Sequence, residues 1–201
     1  MKPGGKAAMS FNIGKGDALL IVDVQRDFLP GGKLAVPQGD AVVPVLNRYL
    51  ELAHEKALLV IASRDWHPPK HCSFRDQGGS WPEHCVRDTP GAAFAADLAL
   101  PAGTEVVSKA TREEAEQYSD FDGTGLADRL RARGIKRLLI GGLATDYCIL
   151  HTVRDALKAG FAVLLLRDAI RAVNVKPGDG ACAEEEMRRA GAVPVTYDEL
   201  A

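Results

Sequence analysis

Six short runs rich in Val, Ile and Leu recur along the chain and predict β-strands. Most of these runs are apolar on both faces, which is typical of strands buried in a parallel sheet. Segments with the polar and apolar spacing of helices separate several of them. The predicted strands are residues 18–24, 57–62, 105–107, 137–140, 161–166 and 192–195, and the predicted helices are residues 40–56, 125–133, 146–158 and 179–189.

Three of the predicted helices end at a glycine that a strand follows at once, namely Gly134, Gly160 and Gly191. Glycine is favoured there because the residue past a helix end usually has a positive φ. Repeated strand–helix–strand units with short turns predict an α/β fold. We therefore expect a mostly parallel sheet of about six strands with helices on both faces.

The length of 201 residues fits one domain, which we expect over residues 1–201 with a loose N-terminal extension over residues 1–16. Hydrophobic residues make up 46% and charged residues 26% of the chain, so bulk disorder is excluded. The net charge of −2 argues against an electrostatic nucleic-acid binder. Apolar runs stay well below the ~20 residues of a membrane span. Because residues 1–16 also lack a signal-peptide core, we expect a cytoplasmic protein.

Reactive side chains follow four of the predicted strands. Asp23 follows the first strand, Asp65 and His67 the second, Lys109 the third and Cys148 the fourth. In an open α/β sheet, ligands bind outside the carboxyl ends of the strands. Two acids, an imidazole, an amine and a thiol are thus expected at one edge, as a hydrolytic site requires.

Cys148 is the candidate nucleophile. Thr145 is a suitable N-cap for the next helix, and this would place Cys148 in the first turn, where the helix dipole stabilises a thiolate and free N–H groups an oxyanion. Asp23 would be the general base for the thiol, and Lys109 the cation that keeps Asp23 ionised. The alternatives are a buried structural cysteine, a turn aspartate and a surface lysine.

The segment Asp65-Trp66-His67 suggests a metal site. Residues i and i+2 of an extended chain point to the same side, so the carboxylate and the imidazole could share one ion. The residues alone leave the third ligand open between His71 and His84. Such ligands suit Zn²⁺, Fe²⁺ or Mn²⁺, and the alternative is a hydrogen-bonded turn.

Aromatic residues near these groups predict a slot for a flat ring. The four candidates are Phe28, Trp66, Trp81 and Tyr118. Only 6% of the chain is aromatic, so their proximity to the reactive groups carries weight. The alternative is that they fill the core.

Four linked segments resemble the nicotinamidases of the isochorismatase-like (cysteine) hydrolase superfamily. The likeness covers about residues 18–195. The segments are Ile21-Val22-Asp23-Val24-Gln25-Arg26-Asp27-Phe28-Leu29-Pro30-Gly31-Gly32; Arg64-Asp65-Trp66-His67-Pro68 with Ser73-Phe74; Trp81-Pro82-Glu83-His84-Cys85; and Gly141-Gly142-Leu143-Ala144-Thr145-Asp146-Tyr147-Cys148.

This resemblance implies a catalytic triad of Asp23, Lys109 and Cys148. It implies a cis peptide bond before Ala144, which would aim the Ala144 N–H, with that of Cys148, into an oxyanion hole. It also implies a three-layer Rossmann-like fold and a homo-oligomer, a dimer or larger. No dinucleotide is expected, since the first strand is not followed by G-x-G-x-x-G.

The resemblance further implies that Asp65, His67 and His84 bind one divalent transition metal. Zn²⁺ is the first choice, with Fe²⁺ and Mn²⁺ as alternatives. Some relatives carry a carboxylate near the position of Ser73, so here a water would complete the ligand shell.

The implied activity is hydrolysis of nicotinamide, a linear amide, to nicotinate and ammonia through a cysteine thioester, in NAD salvage. Phe28, Trp81 and Tyr118 would hold the ring, with the pyridine nitrogen at the metal or its water, and pyrazinamide is a further expected substrate. Two alternatives stay open. One is another hydrolase of the superfamily, acting on a different amide or on isochorismate; the other is a non-catalytic metal or small-molecule binding module.

Overall fold

The computed structural model of the chain describes residues 11–200. Within them, every helix is too short or too polar to cross a bilayer. The strands are β1 (Asp17–Val22), β2 (Leu59–Asp65), β3 (Glu105–Lys109), β4 (Arg137–Leu143), β5 (Ala162–Arg171) and β6 (Val193–Val195), and the α-helices are α1 (Val42–Glu55), α2 (Leu126–Ala132), α3 (Leu150–Lys158) and α4 (Asp179–Ala190).

The strands form one sheet in the order β3-β2-β1-β4-β5-β6, and every neighbouring pair is parallel. The predicted parallel sheet of about six strands is thereby confirmed. The chain leaves β1 toward one edge of the sheet and later returns to add β4 on the other side of β1. This reversal creates a crevice between the ends of β1 and β4, where α/β proteins of this order bind ligands.

Helices cover both faces of the sheet, as the alternation of elements predicts. Leu19 of β1 faces a core shared with Leu46 of α1. The next residue, Leu20, faces a second core shared with Val153 of α3 and Met187 of α4. Successive strand residues point to opposite faces, and all six residues of β1 are buried, so β1 lies between two apolar layers.

The helix ends and the strand starts agree with the pattern to within two residues, but most of the strand ends differ from it. Strand β1 ends at Val22 rather than at residue 24, and β4 and β5 continue to Leu143 and Arg171, beyond the predicted residues 140 and 166. Gly134, Gly160 and Gly191 have φ of 71°, 90° and 112°, as predicted for residues past a helix end. Strands β2 and β3, however, continue to Asp65 and Lys109, beyond the predicted ends at residues 62 and 107. Hydrophobicity cannot reveal this extension, because these buried side chains are charged and satisfied by one another.

Part of the predicted loose extension is packed against the domain. Residues 1–10 lie outside the described residues. Beyond them, Ile13 is buried, the Phe11 N–H donates to the Glu199 carbonyl at 3.3 Å, and Arg137 donates to the Asn12 carbonyl at 2.7 Å. The apolar side chains of Phe11 and Ile13 add to the core on the α1 side, which accounts for the difference from the expectation.

The segment between β2 and β3 is irregular but returns twice to the strand ends. It contains the short 3₁₀ turns Arg75–Gln77 and Pro90–Ala92. Isolated bridges join Val86 to His67, which follows β2, and Phe94 to Gln25, which follows β1. We call residues 66–104 the long loop. These bridges bring later parts of the long loop back to the strand ends, and so place several loop side chains beside the sheet edge.

Candidate active site

Four predicted reactive residues meet at the carboxyl edge of the sheet. Asp23 directly follows β1, Asp65 ends β2, Lys109 ends β3, and Cys148 lies in the turn after β4. The parallel register places Asp65 opposite Lys109. Asp23, Lys109, Asp65 and Cys148 are 0%, 1%, 5% and 6% exposed, so their charges and the thiol face one another rather than water.

Lys109 is the centre of this group. Its Nζ lies 2.6 Å from Asp23 Oδ2, contacts Asp65 Oδ1, and is 3.5 Å from Cys148 Sγ. The Ser63 hydroxyl donates to the other oxygen of Asp23, Oδ1, at 2.9 Å. Burial opposes the charge on Lys109, but the two carboxylates outweigh burial and raise the lysine pKa well above its usual value. One ammonium therefore compensates two carboxylates beside a thiol.

The directions of the pKa shifts suit Asp23 as a carboxylate base and Cys148 as a neutral thiol. Burial raises the pKa of Asp23 to about 6, although Lys109 opposes the shift. Burial also raises the pKa of Cys148 well above its usual value, again against the effect of Lys109. The sequence argument predicts a thiolate stabilised by a helix end. The structure instead favours a neutral Cys148 thiol, because the cost of burying its charge exceeds the attraction of Lys109.

The turn that carries Cys148 also differs from the predicted helix start. Thr145 is not the N-cap; Ala144 is, and Thr145–Ile149 form a π-helical turn that leads into α3. The Ala144 carbonyl accepts from the N–H groups of Tyr147 and Ile149, both at 3.1 Å, and the turn has no side-chain capping bond at its N-cap. The Leu143–Ala144 peptide bond is cis, as the resemblance implies.

The predicted metal ligands converge beside Lys109. Asp65, His67 and His84 are buried, and each offers a ligand atom within 4.8 Å of the others. His67 Nδ1 lies 3.0 Å from the His84 carbonyl, and His84 Nδ1 lies 2.8 Å from the Pro82 carbonyl. A carbonyl only accepts, so both Nδ1 atoms carry the hydrogen and both Nε2 atoms are left as ligands.

The protonation of this cluster also fits a divalent metal. Burial lowers the pKa of His67 to about 4 and lowers that of His84, so both rings are neutral at pH 7. Lys109 contacts Oδ1 of Asp65, which leaves Oδ2 for an ion. Two neutral imidazoles and one carboxylate form a ligand set that Zn²⁺ accepts, with positions left for water or substrate.

His71, the alternative third ligand, is engaged elsewhere. It lies near His67 and Glu116, and these three could also approach one ion. However, His71 Nδ1 is 2.7 Å from Ser73 Oγ and Nε2 is 3.0 Å from the Ala115 carbonyl. Both ring nitrogens therefore have partners, which favours His84 as the third member of the cluster, the residue that the resemblance implies.

Two polar residues of the first segment, whose roles sequence reasoning missed, hold this cluster in place. Gln25 donates to the carbonyls of Asp65 and Ala92 at 2.8 and 2.9 Å, and its own carbonyl accepts from the Asp65 N–H at 2.8 Å. Asp27 accepts from the Cys85 N–H at 2.8 Å, next to His84. Burial of these polar residues was the missing information, since neither lies in a strand-end or metal pattern.

A cavity of about 450 Å³, counted to its mouth, opens onto the thiol and the metal cluster. Phe28, Trp81 and Tyr118 line it as predicted, and Trp81 donates to the Tyr118 hydroxyl at 3.0 Å. Tyr147, which the aromatic pattern did not single out, also lines it, with its ring 4.9 Å from that of Trp81. The remaining lining residues are Leu34, Val36, Asp65, His67, His84, Glu116, Gln117, Ala144, Cys148 and Val173.

Trp66 does not line this cavity, so that expectation is wrong. The Arg64 guanidinium lies 3.6 Å from the centre of its ring. The physical reason is the alternation of an extended chain: Asp65 and His67 point to the site, so Trp66 between them points away.

A family model that covers most of the chain identifies its family. A model of the isochorismatase domain matches residues 17–199. The chain belongs to the isochorismatase family. This isochorismatase-family chain is 41% identical over 200 residues to a nicotinamidase of Escherichia coli (strain K12), with 89% of this chain and 94% of that one covered.

Solved structures of similar proteins agree with this fold. A pyrazinamidase of Pyrococcus horikoshii, solved in complex with zinc, is 50% identical with a TM-score of 0.87, covering 90% of this chain and 99% of that one. PnC1 from L. infantum, solved in complex with nicotinate, is 35% identical with a TM-score of 0.84, covering 95% and 99%. The predicted resemblance and the three-layer fold are confirmed.

Proposed function

We propose that this isochorismatase-family chain is a nicotinamidase, which hydrolyses nicotinamide to nicotinate and ammonia. The observation that carries the proposal is the placement of Lys109 between Asp23 and Asp65, 3.5 Å from the Cys148 thiol, at the base of an aromatic cavity. A binding module would need the cavity but not a nucleophile beside a buried base. Relatives named nicotinamidase and pyrazinamidase support the same chemistry.

The cavity suits a flat heteroaromatic amide. Phe28, Trp81 and Tyr118 offer ring faces and edges for the pyridine ring. The Trp81–Tyr118 hydrogen bond fixes two of these rings relative to each other. With the ring held there, the carboxamide carbon would lie over Cys148, which lines the same cavity. Pyrazinamide has the same shape and is an expected second substrate.

In the proposed reaction, Asp23 takes the proton of the Cys148 thiol as sulfur attacks the amide carbon. The N–H groups of Ala144 and Cys148 stabilise the oxyanion, since N–H groups at the start of a helical turn lack partners within it. The C–N bond then breaks, Asp23 gives its proton to the nitrogen, and ammonia leaves. Water adds to the thioester as Asp23 takes one of its protons, and the C–S bond breaks. Asp23 returns that proton to sulfur, which restores the thiol, and the product leaves as nicotinic acid, which ionises to nicotinate in solution. Lys109 keeps Asp23 ionised between these transfers.

Asp65, His67 and His84 would hold one divalent metal, with zinc as the first choice. When bound, such an ion supplies Lewis acidity and holds water or substrate beside the thiol. Asp65 has two roles in this arrangement. One of its oxygens contacts Lys109 and the other is left for the ion, so it connects the metal site to the acid–base residues.

The biological setting is also part of the proposal. Nicotinate production from nicotinamide suits NAD salvage. All four cysteines lie within residues 11–200 and are free thiols, which suits a reducing compartment such as the cytoplasm. We further propose that residues 1–201 act as one domain and that the chain is a homo-oligomer, which light scattering after size exclusion would test.

The test of the proposed function is ammonia release from nicotinamide by Cys148→Ala. We expect a loss of at least ~1,000-fold, since the variant retains the cavity but lacks the nucleophile. Cys182→Ala is the matched control, because Cys182 is an exposed free cysteine on α4 and should leave the rate unchanged. Circular dichroism checks that both variants fold. Equal rates for the two variants would exclude Cys148 as the nucleophile.

A further inference from the structure

The turn that carries the nucleophile, Thr145–Ile149, contains an acid to which the proposed reaction assigns no role. This acid, Asp146, is half-buried and lies two residues before Cys148. Tyr147 and Cys148 line the cavity, whereas the Asp146 carboxylate reaches the segment that follows β5. We call Thr145–Ile149 the nucleophile turn, and we call residues 172–178, which connect β5 to α4, the β5–α4 loop.

Both carboxylate oxygens of Asp146 accept hydrogen bonds from the backbone of the β5–α4 loop. Oδ1 accepts from the Val173 N–H at 2.9 Å, and Oδ2 accepts from the Asn174 N–H at 2.8 Å. Asn174 has a φ of 54°, the left-handed conformation that asparagine tolerates, and consecutive N–H groups beside such a residue can converge on one anion. Hydrogen bonds to a carboxylate are about twice as strong as those between neutral groups, so Asp146 anchors this loop firmly.

The other hydrogen bonds of the β5–α4 loop lead to α4 rather than to the sheet. Asn174 Oδ1 accepts from the Gly180 N–H at 2.9 Å, and the Lys176 N–H donates to Asp179 Oδ2 at 2.8 Å, both at the start of α4. Within residues 11–200, the hydrogen bonds of residues 173–178 go to Asp146, to α4 or to one another. Asp146 is therefore the polar connection between this loop and the carboxyl edge of the sheet.

Val173 is the point where this anchor meets the cavity. Its side chain lines the cavity together with Tyr147 and Cys148, and it packs against the core on the α1 side. The N–H that Asp146 Oδ1 accepts belongs to the same residue. An apolar side chain on a loop forms a fixed wall only where the backbone beneath it is fixed. The space beside the thiol therefore depends on Asp146.

We propose that Asp146 is a positioning residue that ties the β5–α4 loop to the nucleophile turn and so fixes Val173 as the cavity wall beside Cys148. Asp146 thereby limits the size of the molecule that reaches the thiol. Without this anchor the wall moves, which weakens substrate binding and admits bulkier reagents, while Asp23 and Lys109 keep their contacts. The inference rests on the proposed use of this cavity by a heteroaromatic amide.

The kinetic test compares Asp146→Ala with the matched control Asp179→Ala. Asp179 also accepts an N–H of the β5–α4 loop, but it lies on α4, so its loss loosens the loop without releasing Val173. We expect Asp146→Ala to raise the KM for nicotinamide roughly tenfold, the effect of one to two hydrogen bonds, and to keep kcat within about threefold. Asp179→Ala should lower the melting temperature but keep KM within about twofold. Equal KM increases in the two variants, or none in Asp146→Ala, would overturn the inference.

Two further variants show whether Asp146 acts through the wall. Asp146→Asn retains one acceptor oxygen, so its KM should lie between those of the wild type and Asp146→Ala; it also serves if Asp146→Ala fails to fold, and an unchanged KM in it would then count against the inference. Adding Asp146→Ala to Val173→Ala should raise KM by at most about twofold more, because residues acting as one unit are not additive. A full additional tenfold increase would mean that Asp146 acts elsewhere than on Val173.

A measurement without substrate separates this inference from the proposed function. Cys148 is alkylated with N-ethylmaleimide or with iodoacetamide, and each rate is followed by mass spectrometry of the Cys148 peptide. Both reagents react with the thiolate, so the ratio of the bulky to the small reagent cancels changes in thiol acidity and reports on the space beside the sulfur. We expect this ratio to rise at least about threefold in Asp146→Ala and to stay unchanged in Asp179→Ala.

The outcomes of the two measurements are distinguishable. If the wild type releases no ammonia from nicotinamide but the alkylation ratio rises in Asp146→Ala alone, the proposed function fails and the positioning role stands. An unchanged ratio for Asp146→Ala in an enzyme that hydrolyses nicotinamide would remove the positioning role alone.

Discussion

The site has two halves with different chemistry. The strand-end half consists of the buried, charged residues Asp23, Asp65 and Lys109 at the ends of strands. The loop half consists of the neutral imidazoles His67 and His84 on the long loop. Charged groups of the strand-end half hold one another by ion pairs around Lys109. The imidazoles of the loop half are held by backbone carbonyls at their Nδ1 atoms.

Folding depends more on the strand-end half than on the loop half. Removing one buried charge leaves its partners uncompensated, so the strand-end half is coupled to stability. Removing an imidazole leaves a carbonyl without its donor and an incomplete ligand set. This change should lower the free energy of unfolding less, but the metal affinity more. Asp65 is the residue common to both halves, since it pairs with Lys109 and belongs to the metal cluster.

The largest expected effect is that of Lys109→Met. Two buried carboxylates would lose their common cation, so we expect a loss of about 3–5 kcal/mol in the free energy of unfolding. Ammonia release from nicotinamide should fall at least roughly a hundredfold, because Asp23 would be held protonated. Urea denaturation and the ammonia assay measure the two effects.

The control for Lys109→Met is Arg137→Met at the opposite end of the sheet. Arg137 pairs with Asp17 at 2.7 Å, but its side chain is 25% exposed. The Asp17 carboxylate is 8% exposed, but it keeps the Gly14 N–H as a donor at 2.8 Å, and water can enter the partly exposed place that Arg137 leaves. The loss should therefore be smaller, about 1–2 kcal/mol, and activity should be kept. Equal losses in the two variants would show that the strand-end half is not specially coupled to stability.

The loop half is tested by His84→Ala against His71→Ala. His84 offers a free Nε2 to the cluster, so its loss should lower zinc affinity at least ~100-fold and abolish most activity at limiting zinc. His71 has partners on both nitrogens, so its loss should change zinc affinity less than about tenfold. Zinc content after dialysis and the melting temperature are the measurements. The reverse order of zinc loss would assign the third ligand to His71.

The two halves should also lose their functions at different pH values. Burial raises the pKa of Asp23 to about 6, and a general base must be ionised to accept the thiol proton, so kcat/KM should be level above pH 6 and fall about tenfold per pH unit below it. Burial lowers the pKa of His67 to about 4, so protonation should compete with zinc only at a lower pH. Activity and zinc content are measured in the same samples between pH 4.5 and 8. A common midpoint near pH 4 would contradict the assignment of the limb to Asp23.

Sequence reasoning predicted the strand-end half better than the loop half, for physical reasons. Apolar runs locate buried strands, and topology places their ends together, so Asp23, Lys109 and Cys148 could be grouped without coordinates. The choice between His71 and His84 depended on hydrogen bonds across the long loop, which no spacing reports. Only the family resemblance selected His84.

Other features of the site depend on backbone hydrogen bonds or on the burial of polar residues, and hydrophobic patterns show neither. The N-cap at Ala144 instead of Thr145 follows from carbonyl bonding within the turn. The neutral thiol of Cys148 follows from the cost of a buried charge.

The smallest expected effect concerns the aromatic cavity, and it compares Trp81→Leu with Trp66→Leu. Trp81 lines the cavity and donates to the Tyr118 hydroxyl, so its loss should raise the KM for nicotinamide about three- to tenfold with a smaller change in kcat. Trp66 points away and packs under the Arg64 guanidinium, so its loss should affect stability rather than KM. Steady-state kinetics and thermal melting of both variants measure this. A raised KM in Trp66→Leu alone would mean that the ring binds on the other side of β2 and that the loop half does not face the substrate.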